Sequence, residues 1–446
     1  MGICFLYTFS FCYNQPERKE SMMKHEFLNK VIYQVFVRNY SRDGTLKAVT
    51  DSLDEIFHNG ADILYLMPIS PIGRKNRKGS KGSPYSIMDY RSIDGETGTF
   101  EDLEELTRAV HSRNGKVILD MVFNHTSVDS LLSKEHPDFF YHDKNGNFAN
   151  KVGSWADVID LDHANEALED YLVDTLKLYE EHGIDGFRFD VASLIPPSFF
   201  KKAKKALKED TIFLGEAIDT SFLEYTRSLG FPAYSNGELC QSGMDLLYPY
   251  ASFQPLHEFL QTKEVSRLEQ FKFAYMLEEA SIPQGHYITR AIENHDRERI
   301  ASYSQDEDFT RSLLSFTFFT PGPAFVYAGE EYKAKETPNL FEKDVISHKV
   351  QDKDYYDFYQ RLVSLKKRDK NKTTLGSLVL DSIPGTLLLK NTFKDEKEEI
   401  GFFNFTGKEV SFQIEAGTYV DLLEDKTYHS LGSLASKKAL WLKRID

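Results

Sequence analysis

From residue 31 to about residue 330, short apolar, β-branched or aromatic runs alternate with amphipathic helical patterns. Such alternation commits a chain to parallel strands, because a helix between two strands returns the chain to the same end of the sheet. The runs expected as strands lie at 31–37, 62–67, 116–121, 186–190, 212–215, 244–248, 287–292 and 324–327. Eight such repeats are the number that closes a (β/α)8 barrel. The sixth run is the weakest, because Met244–Tyr248 is not strongly β-like.

Helix signals fall between the runs. Thr99 is placed to cap a helix over 100–114, with Glu101, Asp102 and Glu104 in its first turns and Gly115 to end it. Leu168, Leu172, Leu176 and Tyr179 form one apolar stripe on a helix ending near Gly183, expected to pack against the barrel. Two connections are too long for simple βα loops. Residues 68–98 are rich in Gly, Pro and Lys, and residues 126–163 form a polar insertion expected to fold as a small lobe over one side of a cleft. Both follow the carboxyl ends of strands, the face on which barrel enzymes build their sites. After residue 372, Val410, Phe412 and Ile414 alternate with polar residues between turn-rich pieces. This predicts a small antiparallel, sandwich-like β domain. The expected division is an N-terminal extension at 1–24 without ordered structure, a barrel with its lobe at 25–371, and the β domain at 372–446.

Three of the runs end in an acid: Gly-Phe-Arg-Phe-Asp at 186–190, Leu-Gly-Glu at 214–216, and Glu-Asn-His-Asp at 293–296. Arg188 and Asp190, two positions apart on a strand, face the same way. A guanidinium there would keep the carboxylate ionised and oriented, as a nucleophile requires, although a plain strand-end ion pair has the same pattern. Glu216 follows Ile212-Phe213-Leu214, and an apolar setting raises a carboxyl pKa toward that of a proton donor. Taken alone, it equally fits a solvent-facing acid. The fourth and fifth strands are neighbours in a barrel, so Asp190 and Glu216 can meet across a cleft. His295 beside Asp296, and Asn124-His125 after Asp120, are better suited to binding sugar hydroxyls than to zinc, for which no paired His spacing exists. Cleavage of a glycosidic bond needs one acid for the leaving oxygen and one carboxylate for the anomeric carbon. A third negative charge can steady the developing cation.

Four segments carry a resemblance. Asp120-Met-Val-Phe-Asn124-His125, Gly186-Phe-Arg188-Phe-Asp190, Gly215-Glu216 and Asn294-His295-Asp296 resemble, in order and spacing, the four motifs of the alpha-amylase family of glycoside hydrolases. Tyr33–Phe36, Pro68, the stretch from Tyr85 to Tyr90 and residues 322–331 support it, so the resemblance covers roughly 30–330. It implies that Asp190 is the nucleophile, Glu216 the general acid/base and Asp296 the transition-state stabiliser, with Arg188 orienting Asp190. His125 and His295 would then bind the sugar being cleaved, and Tyr85 would stack under it. The implied reaction is double displacement with retention on an α-glucan oligosaccharide. A transglycosidase would use the same three acids, and a non-catalytic carbohydrate-binding homologue would usually have lost one of them.

The departures bear on substrate. Where many endo-acting amylases have Lys-His after the nucleophile, this chain has Val191-Ala-Ser-Leu194, which points to maltodextrins rather than long starch. Residues 158–162, Val-Ile-Asp-Leu-Asp, match neither common form of the lobe-end motif, and the residues before strand one leave no room for the N-terminal β domain of neopullulanase-like relatives. Asn124 matches a family calcium ligand, whereas Asp143-Lys-Asn145-Gly-Asn147 fits an Asn-Gly hairpin turn better than a calcium loop. No cofactor is expected, and calcium is not favoured. Trp155 is equally suited to a sugar platform and to packing.

A formal charge of −15 argues against nucleic acid and anionic membranes as partners. Three cysteines, Cys4, Cys12 and Cys240, make no disulfide framework, so the reducing cytosol is the expected compartment. The apolar stretch at 3–13 is shorter than the roughly 20 residues that span a bilayer, and it lacks the flanks of a signal peptide.

Overall fold

The computed structural model describes residues 27–153, 155–368, 374–379, 383–393, 398–429 and 431–446. The expected N-terminal extension, with Cys4 and Cys12, and the boundary at 371/372 lie outside these residues.

Eight parallel strands form one curled sheet: β1 (Val31–Val35), β2 (Ile63–Leu66), β3 (Lys116–Met121), β4 (Gly186–Phe189), β5 (Ile212–Gly215), β6 (Leu246–Leu247), β7 (Tyr287–Ile288) and β8 (Ala324–Tyr327). The ladder runs β8-β1-β2-β3-β4-β5-β6-β7. Its two ends meet closely: a Cβ on Gly322, just before β8, would stand 2.8 Å from the Ile288 carbonyl oxygen of β7. The fold class is therefore the (β/α)8 barrel. Gly186 serves the same end within the ladder, since a Cβ there would come 2.5 Å from Ile212 O.

Several strands are shorter than expected: β1 stops at Val35, where a helix begins at Val37, and β6 and β7 lose the most. β6 keeps only Leu246–Leu247, as the weak run foretold, and β7 stops at Ile288. Beyond it, Thr289 N still bonds Leu247 O, but Ala291 N folds back to Thr289 O, which ends the extended backbone. Apolar residues at 291–292 are buried without pairing, so hydrophobicity alone overstated the strand.

Thr99 caps Phe100–His111 in a reciprocal capping box with Asp102. This helix is shorter than expected, because Asn114 (φ 59°) rather than Gly115 takes the left-handed position. The stripe of Leu168, Leu172, Leu176 and Tyr179 lies on Glu166–Glu181 and is fully buried. The insertion after β3 is a lobe whose hairpin pairs His125–Ser127 with Val158–Asp160.

The C-terminal unit is a six-stranded antiparallel sheet with a separate two-stranded one. Val410–Gln413 alternates buried and exposed residues as its pattern requires. The unit packs on the helix Glu307–Phe319: Phe319 meets Trp441 edge-on at 5.2 Å, and Phe316 meets Phe403 at 5.6 Å. No helix among the described residues is long and apolar enough to cross a membrane.

Candidate active site

Strand register assembles the site. Asp120 on β3 pairs with Arg188 on β4, and Phe189 pairs with Gly215 on β5. The next residues along, Asp190 and Glu216, therefore stand side by side at the barrel's carboxyl end. Their backbones continue the ladder, Asp190 N to Met121 O at 3.0 Å and Glu216 N to Phe189 O at 3.0 Å.

Arg188 is fully buried and faces three carboxylates. Its Nη1 donates to Asp120 Oδ1 at 2.9 Å and to Asp190 Oδ1 at 2.8 Å, and its Nη2 lies 3.0 Å from Glu216 Oε1. One cation shared among three anions does not neutralise them. Burial, then the adjacent Glu216, push Asp190 well above the ordinary carboxylate range despite Arg188. The expectation drawn for Arg188 and Asp190 weighed neither burial nor the neighbouring acids. That expectation counted one carboxylate where the register supplies three. Glu216 likewise sits in no apolar pocket: besides Arg188, its Oε2 accepts from Val191 N at 2.8 Å.

The residue that donates this second bond is strained. Val191 has φ 45° and ψ 42°, a left-handed conformation in which a β-branched residue is an outlier. Strain of this kind costs on the order of 1–3 kcal/mol and clusters at functional sites.

Asp296 completes the group from beyond β7. Gln34 Nε2 on β1 donates to His295 Nδ1 at 2.8 Å, which leaves the ring proton on Nε2. Nε2 is 2.6 Å from the Tyr85 hydroxyl and 2.9 Å from Asp296 Oδ2. Tyr85 in turn donates to Asp120 Oδ2 at 3.0 Å and stacks on His295 at 5.2 Å. Burial raises the Asp296 pKa, but His295, followed by Arg188 and Arg297, outweighs it and holds the carboxyl at about 2. Asp296 is the open member of the group, with 41% of its side chain exposed.

His125 lies with Nε2 4.0 Å from Asp190 Oδ2, and burial lowers its pKa to about 4. Asn124 donates from Nδ2 to His125 Nδ1 at 3.2 Å and leaves its buried Oδ1 without a partner. Trp155 stands 6.2 Å from His125, at the lobe edge of the site. All eight sequence-derived residues thus fall in one network. Two supports were not singled out as site residues: Gln34, and Tyr65, whose hydroxyl donates to Asp120 Oδ2 at 2.6 Å. Their signal was a polar atom inside otherwise apolar strands.

Asn124 Oδ1 fits a cation as a single donor. The loop at 143–147 does not, because Asp143 Oδ1 is occupied by the backbone amides of Asn145 and Asn147 at 2.8 and 2.9 Å. It is the Asn-Gly turn, with Gly146 at φ 81°.

A model of the alpha-amylase catalytic domain matches residues 5–376. The intracellular maltogenic amylase of Bacillus subtilis is 29% identical over 388 residues, 81% of this chain and 62% of that protein. Alpha-amylase 3 of Dictyoglomus thermophilum is 28% identical over 73% of this chain and 66% of its own length. The chain thus spans about two thirds of these relatives or slightly less. Among solved structures, an alpha-amylase from Lactobacillus plantarum matches with a TM-score of 0.82 and 34% identity, covering 95% of this chain and 99% of that one. A maltogenic alpha-amylase from Thermotoga neapolitana shares the fold at a TM-score of 0.79 and 24% identity, over 94% and 99% of the two chains. With a catalytic-domain match over most of its length and a solved relative aligned almost end to end, the chain belongs to the alpha-amylase family of glycoside hydrolases.

Proposed function

We propose that this protein is a retaining hydrolase of α-glucosidic bonds in maltodextrins or related short α-glucans, working by double displacement. The observation that carries the reading is the attachment of Asp190 and Glu216 to the two ends of one buried guanidinium. A retaining pair works about 5–5.5 Å apart, and two carboxyls on one arginine favour such closeness. In the proposed course, Asp190 attacks the anomeric carbon while Glu216 protonates the leaving oxygen. Glu216 then takes a proton from water, which resolves the glycosyl-enzyme. Three buried carboxylates around a single cation favour keeping one proton in the site, as that division of labour requires. Asp296, held ionised by His295, faces the charge that develops on the sugar.

The segment after the nucleophile supports a short substrate. Ala192, Ser193 and Leu194 are buried, and Ser193 Oγ accepts from Ile218 N at 3.1 Å. They present no polar side chain to a long acceptor chain. The relatives named as maltogenic amylases agree with this, and the one named intracellular agrees with a cytosolic enzyme. Cleavage is proposed to need no metal, so a chelator should leave the rate unchanged.

The test is a product time course on maltoheptaose, panose, pullulan and β-cyclodextrin, with Asp190→Ala as control. Short maltooligosaccharides with retained anomeric configuration are expected. Longer oligomers appearing early from maltotriose would replace hydrolysis by transfer. No release of reducing ends, with Asp190→Ala unchanged, would leave the fold as a binding module.

A further inference from the structure

One cavity bounded by described residues lies beside the acid group, not in it. It has a volume of about 940 Å³, and none of the acids, Arg188, His125 or His295 lines it. Its walls come from the start of the segment after β1, the long 68–98 loop and Lys343. Pro84 and Met88 form one wall and bracket Tyr85, whose hydroxyl turns the other way, onto Asp120. The cavity and the acid group therefore share one loop.

Five cationic side chains line it: Arg38, Arg74, Arg77, Lys81 and Lys343. In a chain of net charge −15, such a concentration calls for a reason. Among the described residues, only Lys81 of the five has a carboxylate in contact, Glu96 at 2.7 Å. Arg77 is held instead by backbone carbonyls, Gly73 O at 2.8 Å and Ile72 O at 2.9 Å. Arg38 is likewise held by Gly82 O and Leu340 O, and its buried Nε has no partner. Carbonyls fix a guanidinium in place without cancelling its charge. Lys343 feels the crowding: burial, then Lys81, and further on Arg38, pull its pKa below the usual lysine value.

The same walls include Asp43, Asp94 and Glu96, with Phe36, Pro71 and Ile72 as apolar surface. A site for a bare inorganic anion gains nothing from carboxylates. Hydroxyl groups do, since each can donate to one. The volume also exceeds what a single phosphate needs and falls in the range of small-molecule pockets.

We propose that this cavity binds a phosphorylated sugar, with the phosphoryl group on the Arg38–Arg77–Lys343 side and ring hydroxyls on Asp43 and Asp94. Phosphate is met by guanidinium forks and an ammonium, the pairing those groups form most strongly. The ligand would lie against the back of the loop that carries Tyr85.

Titration calorimetry on the full chain tests this with three probes: glucose 6-phosphate, inorganic phosphate and glucose. Glucose 6-phosphate is expected to bind in the submillimolar range and to raise the melting temperature in proportion to occupancy. Lys343→Glu and Arg74→Glu, both exposed and outside the acid network, should each weaken it roughly tenfold, which is about 1.4 kcal/mol. Lys75→Glu, on the same loop but off the cavity wall, should leave it unchanged. Absence of binding at about 10 mM glucose 6-phosphate overturns the proposal. So does an equal loss in Lys75→Glu, which would mean diffuse attraction. Inorganic phosphate or glucose binding as tightly as the sugar phosphate removes the assigned ligand. Each readout is a binding heat, so it stands apart from whether the acids cleave glucan.

Discussion

Two buried clusters of charge lie at the carboxyl end of this barrel, one around Arg188 and one around Arg299. Both arginines are fully buried. Arg299 is satisfied on every side: Nη1 bonds Glu293 Oε1 at 2.7 Å and Tyr327 O at 3.2 Å, Nη2 bonds Ala328 O at 2.8 Å, and Nε bonds Glu336 O at 3.3 Å. Glu293 in turn takes Ile300 N at 2.6 Å. Around Arg188, by contrast, three carboxylates compete for one cation and Arg188 Nε has no partner. The valine after Asp190 is also strained. A satisfied buried ion pair holds elements in place. An unsatisfied one keeps polar capacity in reserve for a substrate, at the expense of stability.

The contrast breaks most visibly at Asp190. Asp190→Asn should lower kcat on maltoheptaose by a factor of about 10⁴ or more, through loss of the attacking carboxylate. The same change should raise the melting temperature at pH 7. The folded-state pKa of Asp190 is raised, so its protonated form is the one folding favours. That contribution is present in full below the unfolded carboxylate pKa of about 4 and is lost as pH rises through the folded value. The asparagine gain should accordingly vanish near pH 4. A melting temperature that falls at neutral pH would place both clusters in the same class.

Arg299→Met probes the other side. It leaves Glu293 buried and unpaired, and is expected to cost about 3–5 kcal/mol in denaturant unfolding. The kcat of the molecules that remain folded should be unchanged, and a fall in kcat would mean that this cluster also serves the reaction.

Gln34→Leu is a gentler break. It removes the donor that fixes His295 with its proton on Nε2, and kcat should drop roughly tenfold, as for other orienting partners of an active imidazole. KM should move less than kcat, and Gln34→Glu, which cannot donate at neutral pH, should not rescue it. Equal loss of stability and rate would make Gln34 structural only.

The smallest effect is in the pH profile. Asp296 near 2 and His125 near 4 are set below the working range. The acid limb of kcat/KM is therefore expected from Asp190, at a pH above the ordinary carboxylate value of about 4. Activity should rise with pH as that group ionises. A limb below pH 4 would show that Arg188 neutralises Asp190 after all.

Much of this was legible along the chain. Strand runs that carried both apolar residues and a terminal acid, as at Phe187–Asp190 and Ile212–Glu216, placed the barrel and the acids together, because the buried run and its acid are adjacent in the chain. The third acid-ended run misled in its extent: 287–292 looked like one strand, yet Ala291 and Ile292 are buried without a ladder. Gln34 and Tyr65 gave a polar atom but no hint of its partner, since the bonds to His295 and Asp120 cross 261 and 55 residues.

Glu293 and Asp296 mark the limit most clearly. Four consecutive residues, Glu-Asn-His-Asp, offer two acids of one chemical kind. The sequence by itself determined where the eight strands begin to form and which acids stand beyond three of them, because apolar periodicity and residue type are local properties. Only the tertiary structure decided that Glu293 turns inward to Arg299 while Asp296 opens toward the cleft, and that Arg188 serves three carboxylates rather than one. Strand register and curvature set those neighbours, and register is a relation between strands that no single segment contains.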